Sequence, residues 1–210
     1  YGAEVILYDR HRENRDAIGA RIASMRGMTL IKPFDDAEVI AGQGTCGLEI
    51  AEQATALGVR QADVLVCCGG GGLTAGIALA LESRAPGLRP RPVEPEGFDD
   101  TTRSLAADAV CRNPHPTGSI CDAILTPAPG ALTFPINRRL CGPGLVVSDD
   151  EAIEAVALAF TRLKIVLEPG GAVALAAALF RPDEIEGEDV IVVASGGHID
   201  TARFQTALSR

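Results

Sequence analysis

The chain has 210 residues, 47% hydrophobic and 22% charged, with a formal net charge of −9. That composition supports a packed core and excludes a disordered chain. The acidic balance, with no basic block beyond Arg10, His11 and Arg12, excludes nucleic acid as an expected partner, and the longest apolar run, residues 172–180, is about half of what a bilayer span needs, so no membrane partner is expected.

In chain order, residues 3–9 (AEVILYD) read as a buried strand, residues 12–25 as a helix with apolar positions at Ala17, Ile18, Ile22 and Met25, and residues 28–33 as a short strand stopped by proline. Residues 35–57 are helical with a glycine-weakened middle, as one helix or two, and Asp35, Asp36 and Glu38 suit its first turn. Residues 62–68 form a strand, 72–85 a helix, and 89–96 a proline-marked edge or short strand. Residues 111–144 hold six of the thirteen prolines and are expected to be loop. A helix over 148–164 opens on a capping box, Ser148 with Glu151 three residues on. Residues 169–179 read as a nearly all-apolar, buried helix, 188–197 as a buried strand running into glycines, and 200–208 as a last helix. Continuous apolar strands alternating with helices predict an α/β fold: a parallel twisted sheet with helices on both faces. The six cysteines show neither a C-x-x-C pair nor a zinc spacing, so they are expected to be free thiols in a reducing cytoplasm.

Residues 64–81, VLVCCGGGGLTAGIALAL, pass from strand to helix through four glycines. A strand-to-helix turn at the carboxyl edge of a parallel sheet presents unpaired N–H groups and a partial positive charge, and glycine lets an anion approach them. Gly69, Gly70, Gly71 and Gly72 therefore read as a phosphate cradle. No lysine follows as a Walker A loop requires, whereas the relaxed dinucleotide pattern is met by Gly70, Gly72 and Ala75, with Glu94 or Glu96 as the acidic residue. A mononucleotide, a sugar phosphate and pyridoxal phosphate all remain open on the glycines alone. The second strand–glycine junction, residues 194–200 (ASGGHID), belongs at the same sheet edge, where Ser195 offers a hydroxyl to a ligand or caps a turn.

Six stretches in order, VIAGQGTCGLEI (39–50), VCCGGGGLTAGIA (66–78), EPEGFDD (94–100), GSICDAI (118–124), LEPGGAVALAA (167–177) and VVASGGHID (192–200), resemble the fold-type II pyridoxal-phosphate enzymes, in the serine/threonine dehydratase and serine racemase branch. The resemblance implies a tryptophan synthase beta-like fold and pyridoxal 5'-phosphate as cofactor. Its phosphate would rest on the N–H groups of Gly69, Gly70, Gly71, Gly72 and Leu73. Ser195 would hydrogen-bond the pyridine nitrogen, Glu168 would sit near the ring, and His198, where relatives commonly have Asn, would touch the cofactor or cap a turn. A divalent cation, Mg²⁺ or Ca²⁺, would be held by Glu94, the Phe98 carbonyl and Asp100. The bare residues leave a solvated acidic loop as the alternative for this last group.

The family's Schiff-base lysine lies ahead of the region matching Tyr1, and neither Lys32 nor Lys164 matches it. The expectation is therefore the C-terminal portion of a longer enzyme, incomplete at the N-terminus and with no catalytic residue of its own. Residues 1–34 would be a remnant of the small domain and 35–210 the large cofactor-binding domain. The enzyme would be a homodimer or homotetramer that converts threonine or serine to a 2-oxo acid and ammonia. A non-catalytic phosphate-binding or regulatory module, a racemase and a nucleotide-dependent oxidoreductase stand as alternatives.

Overall fold

Strand β1 (Ala62–Cys67) is apolar except for Asp63 and buried at every position, so its place is the centre of a covered sheet. The computed structural model describes residues 2–209 and divides the chain into two units, Tyr1–Lys32 and Pro33–Arg210. In the second unit β1 pairs in parallel with β2 (Leu88–Pro95) on one side and β4 (Val190–Val193) on the other, and β2 pairs in parallel with β3 (Leu145–Val147). The order is β3-β2-β1-β4. Side chains of β1 alternate between two cores. Leu65 and Cys67 pack with the helices α6 (Asp149–Leu158) and α7 (Pro169–Phe180), while Val64 and Val66 pack with α2 (Ala37–Leu57) and α3 (Gly72–Arg84).

The glycine-weakened segment is one unbroken helix, α2, and its Gly44 and Gly47 face α3. A Cβ on Gly47 would lie 2.9 Å from the Ile77 Cα, and one on Gly76 would overlap the Ile40 carbonyl. The small residues allow two backbones to touch, so packing offsets their low helix propensity.

Several expected elements come out differently. The segment at 89–96 is an interior strand, not an edge. The Val93 carbonyl accepts the Cys68 N–H on the β1 side, and the Pro90 carbonyl accepts the Gly142 N–H on the other. Pro90 and Pro92 thus direct their missing donors away from β1, at a level that β3, paired only with residues 93–95, does not reach. Residues 3–9 and 28–33 form no strand. Val5, Leu7 and Ile31 are exposed, Leu7 by 88%, and among the described residues no strand pairs with either run. An apolar run becomes a strand only where a ladder partner accepts it. The first unit has one helix, α1 (Arg15–Arg26), capped by the Asn14 side chain and by Gly27 at φ 64°. Within 111–144, Thr133–Leu140 is a helix, α5, whose Pro135 sits in the first turn where no N–H is required. Strand β4 is an edge, with Val190 41% exposed, not a buried strand. The capping box is formed as expected: the Ser148 hydroxyl accepts the Glu151 N–H while the Glu151 carboxylate accepts the Ser148 N–H. Helix α8 (Thr201–Leu208) is capped by Asp200. All six cysteines are free, and among the described residues no helix is long and apolar enough to cross a membrane.

At the amino end of the sheet the buried Asp63 carboxylate accepts Arg91 at 2.8 Å, Arg89 at 2.8 Å and the Glu186 N–H at 3.0 Å. Burial acts to raise its pKa, but the Glu186 N–H and the two guanidiniums outweigh that and hold it below the usual carboxylate range. A lowered folded pKa means that this contribution is complete above about pH 4 and is lost as pH falls through the lower folded value. Asp63→Ala leaves the buried Arg91 uncompensated, and we expect a loss of about 3–5 kcal/mol at pH 7. In urea unfolding from pH 5 down to pH 2, the variant should lose less stability than the parent chain.

Candidate cofactor site

Strand β1 delivers its last residue, Cys67, to the carboxyl edge of the sheet, and α3 starts at Gly72 with Gly71 as N-cap at φ 89°. Three of the four glycines are buried. Each also meets a neighbour that a side chain would disturb. A Cβ on Gly69 would lie 3.1 Å from the Ile124 Cα, one on Gly70 would overlap the Phe34 ring, and one on Gly71 would lie 2.7 Å from the Asn137 amide. Close packing therefore accounts for the missing side chains without a ligand. The backbone donors are what packing leaves over. The N–H groups of Gly69, Gly70, Gly71, Gly72, Leu73 and Thr74 donate to no acceptor among the described residues; the next N–H, of Ala75, closes the first helical bond on the Gly71 carbonyl at 2.9 Å. Six adjacent donors without a partner among the described residues, at the positive end of a 13-residue helix, have the chemistry an anion requires.

Parallel pairing sets the second half of the site. Val66 is registered with Val193, so the segments that follow β1 and β4 emerge side by side. The Ser195 hydroxyl lies 2.8 Å from the Cys67 thiol. Burial pushes the Cys67 thiol above its ordinary pKa, which keeps the S–H proton available for donation. Glu168, the N-cap of α7, donates its N–H to the Gly196 carbonyl at 2.9 Å, and its carboxylate accepts the His198 N–H at 3.1 Å. A Cβ on Gly196 would push that carboxylate out of its place. The structure thus brings together Cys67, Glu168, Ser195 and the main chain of His198. The exposed His198 imidazole makes no hydrogen bond or ion pair among the described residues.

Glu94, Phe98 and Asp100 are buried, so the solvated acidic loop left open by the sequence is excluded. The Glu94 carboxylate accepts the N–H groups of Thr101 (2.9 Å) and Thr102 (2.7 Å) and the Thr102 hydroxyl (2.7 Å), at the start of α4 (Asp100–Ala107). Burial and the nearby Asp100 charge push its pKa to about 8. Burial likewise pushes Asp100 to about 7; one of its oxygens accepts the Asn113 amide and the other has no partner among the described residues. The Phe98 carbonyl also accepts nothing from the described residues. Among the described residues no three His, Cys, Asp or Glu side chains group as metal ligands, so a cation here would rest on two carboxylates and a carbonyl. Phe34 and Cys67 belong to the site and carried no motif. Phe34 lies outside every quoted stretch, and only the place of Cys67 beside the glycines, within residues 66–78, hinted at it.

The family described as pyridoxal-phosphate dependent enzyme matches residues 1–196. This chain belongs to the pyridoxal-phosphate-dependent enzymes. It is 38% identical over its whole length to L-threo-3-hydroxyaspartate ammonia-lyase of Saccharomyces cerevisiae, covering 63% of that protein, and 35% identical to serine racemase of Schizosaccharomyces pombe, covering 64% of it. The crystal structure of a threonine deaminase from T.th. superposes with a TM-score of 0.84 at 42% identity, over 89% of this chain and 63% of that one. The chain thus spans a little under two thirds of the relatives it matches. These relatives place the family member in the dehydratase and racemase branch, and the parallel sheet covered by helices is the fold that the sequence pattern predicts.

Because Glu94 and Asp100 are raised, the folded chain binds more protons than the unfolded one between about pH 4 and pH 8, and this part of its stability falls as pH rises through that window. Asp100→Asn removes one charge of the pair. In EDTA, the decline in urea midpoint between pH 5.5 and 8.5 should be shallower for Asp100→Asn than for the parent chain.

Proposed function

We propose that this chain carries the cofactor-binding part of a pyridoxal-phosphate-dependent ammonia-lyase that converts a β-hydroxy amino acid, threonine or serine, to a 2-oxo acid and ammonia. The carrying observation is the row of unpaired N–H groups from Gly69 to Thr74 at the start of α3. These donors match a dianionic phosphate in charge and hydrogen-bonding demand. When bound, pyridoxal phosphate supplies an electron sink for the α-carbon of the amino acid. The N–H groups of Gly69, Gly70, Gly71, Gly72 and Leu73 would hold the phosphate. The Ser195 hydroxyl would face the pyridine nitrogen. In the arrangement in which the Cys67 thiol donates to its oxygen, the serine would keep its own proton for that nitrogen. A hydroxyl shares a proton there but does not transfer one as a carboxylic acid does, and the weaker sink suits loss of a β-hydroxyl. Glu168, held by the His198 N–H and packed on Gly196, would border the ring.

The division at Lys32 and Pro33 supports assigning residues 1–34 to a small domain and the remainder to the cofactor domain. The racemase reading within the family is favoured by the serine racemases among the relatives, and 3-hydroxyaspartate is a further substrate on the same ground. Glu94, Asp100 and the Phe98 carbonyl would hold Mg²⁺ or Ca²⁺. The unpartnered Asp100 oxygen, the open carbonyl and the mutual repulsion of two buried carboxylates fit a hard dication.

The test is to load the complete enzyme that contains this chain, its Schiff-base lysine included, with pyridoxal phosphate, record its visible absorbance, and assay 2-oxo acid from threonine, serine and 3-hydroxyaspartate. We expect a bound-cofactor spectrum and keto-acid formation; absence of both overturns the reading. Gly71→Ala forces a side chain into a left-handed conformation against Asn137 and should weaken cofactor retention by more than about tenfold. Millimolar Ca²⁺ or Mg²⁺ should raise the melting temperature of the parent chain by several degrees and leave Asp100→Asn unmoved.

A further inference from the structure

A loop of four glycines has no side chain with which to hold its own peptide planes. Each glycine peptide can rotate at low steric cost, so a row of N–H groups facing one ligand requires something to hold the carbonyls on the opposite side. The structure supplies it from α5. The Thr133 hydroxyl donates to the Gly70 carbonyl at 2.6 Å, and the Gly130 N–H donates to the same oxygen at 3.2 Å. The Asn137 amide donates to the Gly71 carbonyl at 3.3 Å. Thr133 and Asn137 lie one helical turn apart, on one face of α5, and both are fully buried. The helix is itself anchored. The Leu132 N–H donates to the Asp35 carboxylate at 2.7 Å, next to the Phe34 ring that covers Gly70.

We propose that Thr133 and Asn137 are positioning residues for the cofactor phosphate: by fixing the Gly70 and Gly71 carbonyls they aim the neighbouring N–H groups at it. The proposal rests on the cofactor reading above. It also explains why two polar side chains are kept on the buried face of a short helix, where a core alone would be served by apolar residues. If the Gly70–Gly71 or Gly71–Gly72 peptide turned over, its carbonyl would face the phosphate, exchanging an attraction for a repulsion. Each clamp hydrogen bond opposes that rotation. The effect is preorganisation: the donors stand in place before the ligand arrives, and no ordering of the glycines opposes binding.

The experiment compares the pyridoxal-phosphate-loaded parent protein with Thr133→Val, Thr133→Ser and Asn137→Ala. Cofactor affinity is read from absorbance after dialysis, the phosphate environment from the ³¹P resonance of bound cofactor, and folding from the urea midpoint. Thr133→Val keeps the shape of the side chain and removes the donor. It should bind the cofactor about tenfold more weakly and move the ³¹P resonance, while Thr133→Ser restores both. Asn137→Ala should shift both readings the same way, and decides the matter if Thr133→Val fails to fold. Unchanged affinity and an unchanged ³¹P resonance in folded Thr133→Val and Asn137→Ala would overturn the clamp and leave the cofactor reading intact. A parent protein that takes up no pyridoxal phosphate would overturn the cofactor reading and the clamp with it.

Discussion

The parallel pairing of β1 with β2 on one side and β4 on the other is the contact on which every part of the site depends. Register carries position from strand to strand. With Val66 opposite Val193, Ser195 emerges beside Cys67. With Cys67 opposite Val93, Glu94 ends up one residue beyond the glycine loop's own strand. Three chemically distinct groups, an anion cradle, a hydroxyl and a carboxyl pair, thus reach one sheet edge because parallel strands end together there. A shift of one residue in the β1–β4 pairing would turn Ser195 away from Cys67.

That edge combines opposite electrostatic demands within a few residues. The loop from Gly69 to Thr74 has donors without acceptors, while Asp100 has an acceptor without a donor. Both are polar groups in or beside the core without a partner among the described residues, and each is complementary to a ligand of opposite charge. The remote end of the sheet shows the contrasting case. Asp63, Arg89 and Arg91 satisfy one another within the chain, and Arg91 is further bonded to the Pro143 carbonyl. Closed ion pairs there serve the fold, and open groups at the carboxyl edge are what the proposed binding would use.

The glycines illustrate how one residue type takes three roles in a short chain. Gly47 and Gly76 let α2 and α3 touch, Gly196 leaves room for the Glu168 carboxylate, and Gly71 adopts the left-handed turn that starts α3. Only the last bears directly on the ligand binding proposed above. Packing alone explains the absence of side chains at Gly69 and Gly70, so the run of four is weaker evidence for a phosphate than the unpaired N–H groups beside it.

The sequence by itself determined α2, β1, α3, α6, α7 and α8, the capping box at Ser148, the strand–glycine–helix turn at residues 64–81 and the ordered stretches of the pyridoxal-phosphate family. Each of these is encoded locally, in apolar period, cap residues or short motifs. Tertiary structure alone decided the rest. Residues 3–9 have the composition of a strand and no ladder partner among the described residues, and composition does not report whether a partner is present. Residues 89–96 look like an edge because of their prolines, and become interior because those prolines point where no strand lies. Helix α5 was hidden in a proline-rich stretch, and its Thr133 and Asn137 gained meaning only when folding carried them more than sixty residues along the chain to Gly70 and Gly71. Hydrogen bonds between residues so far apart leave no periodic trace in the sequence, so only packing could disclose them.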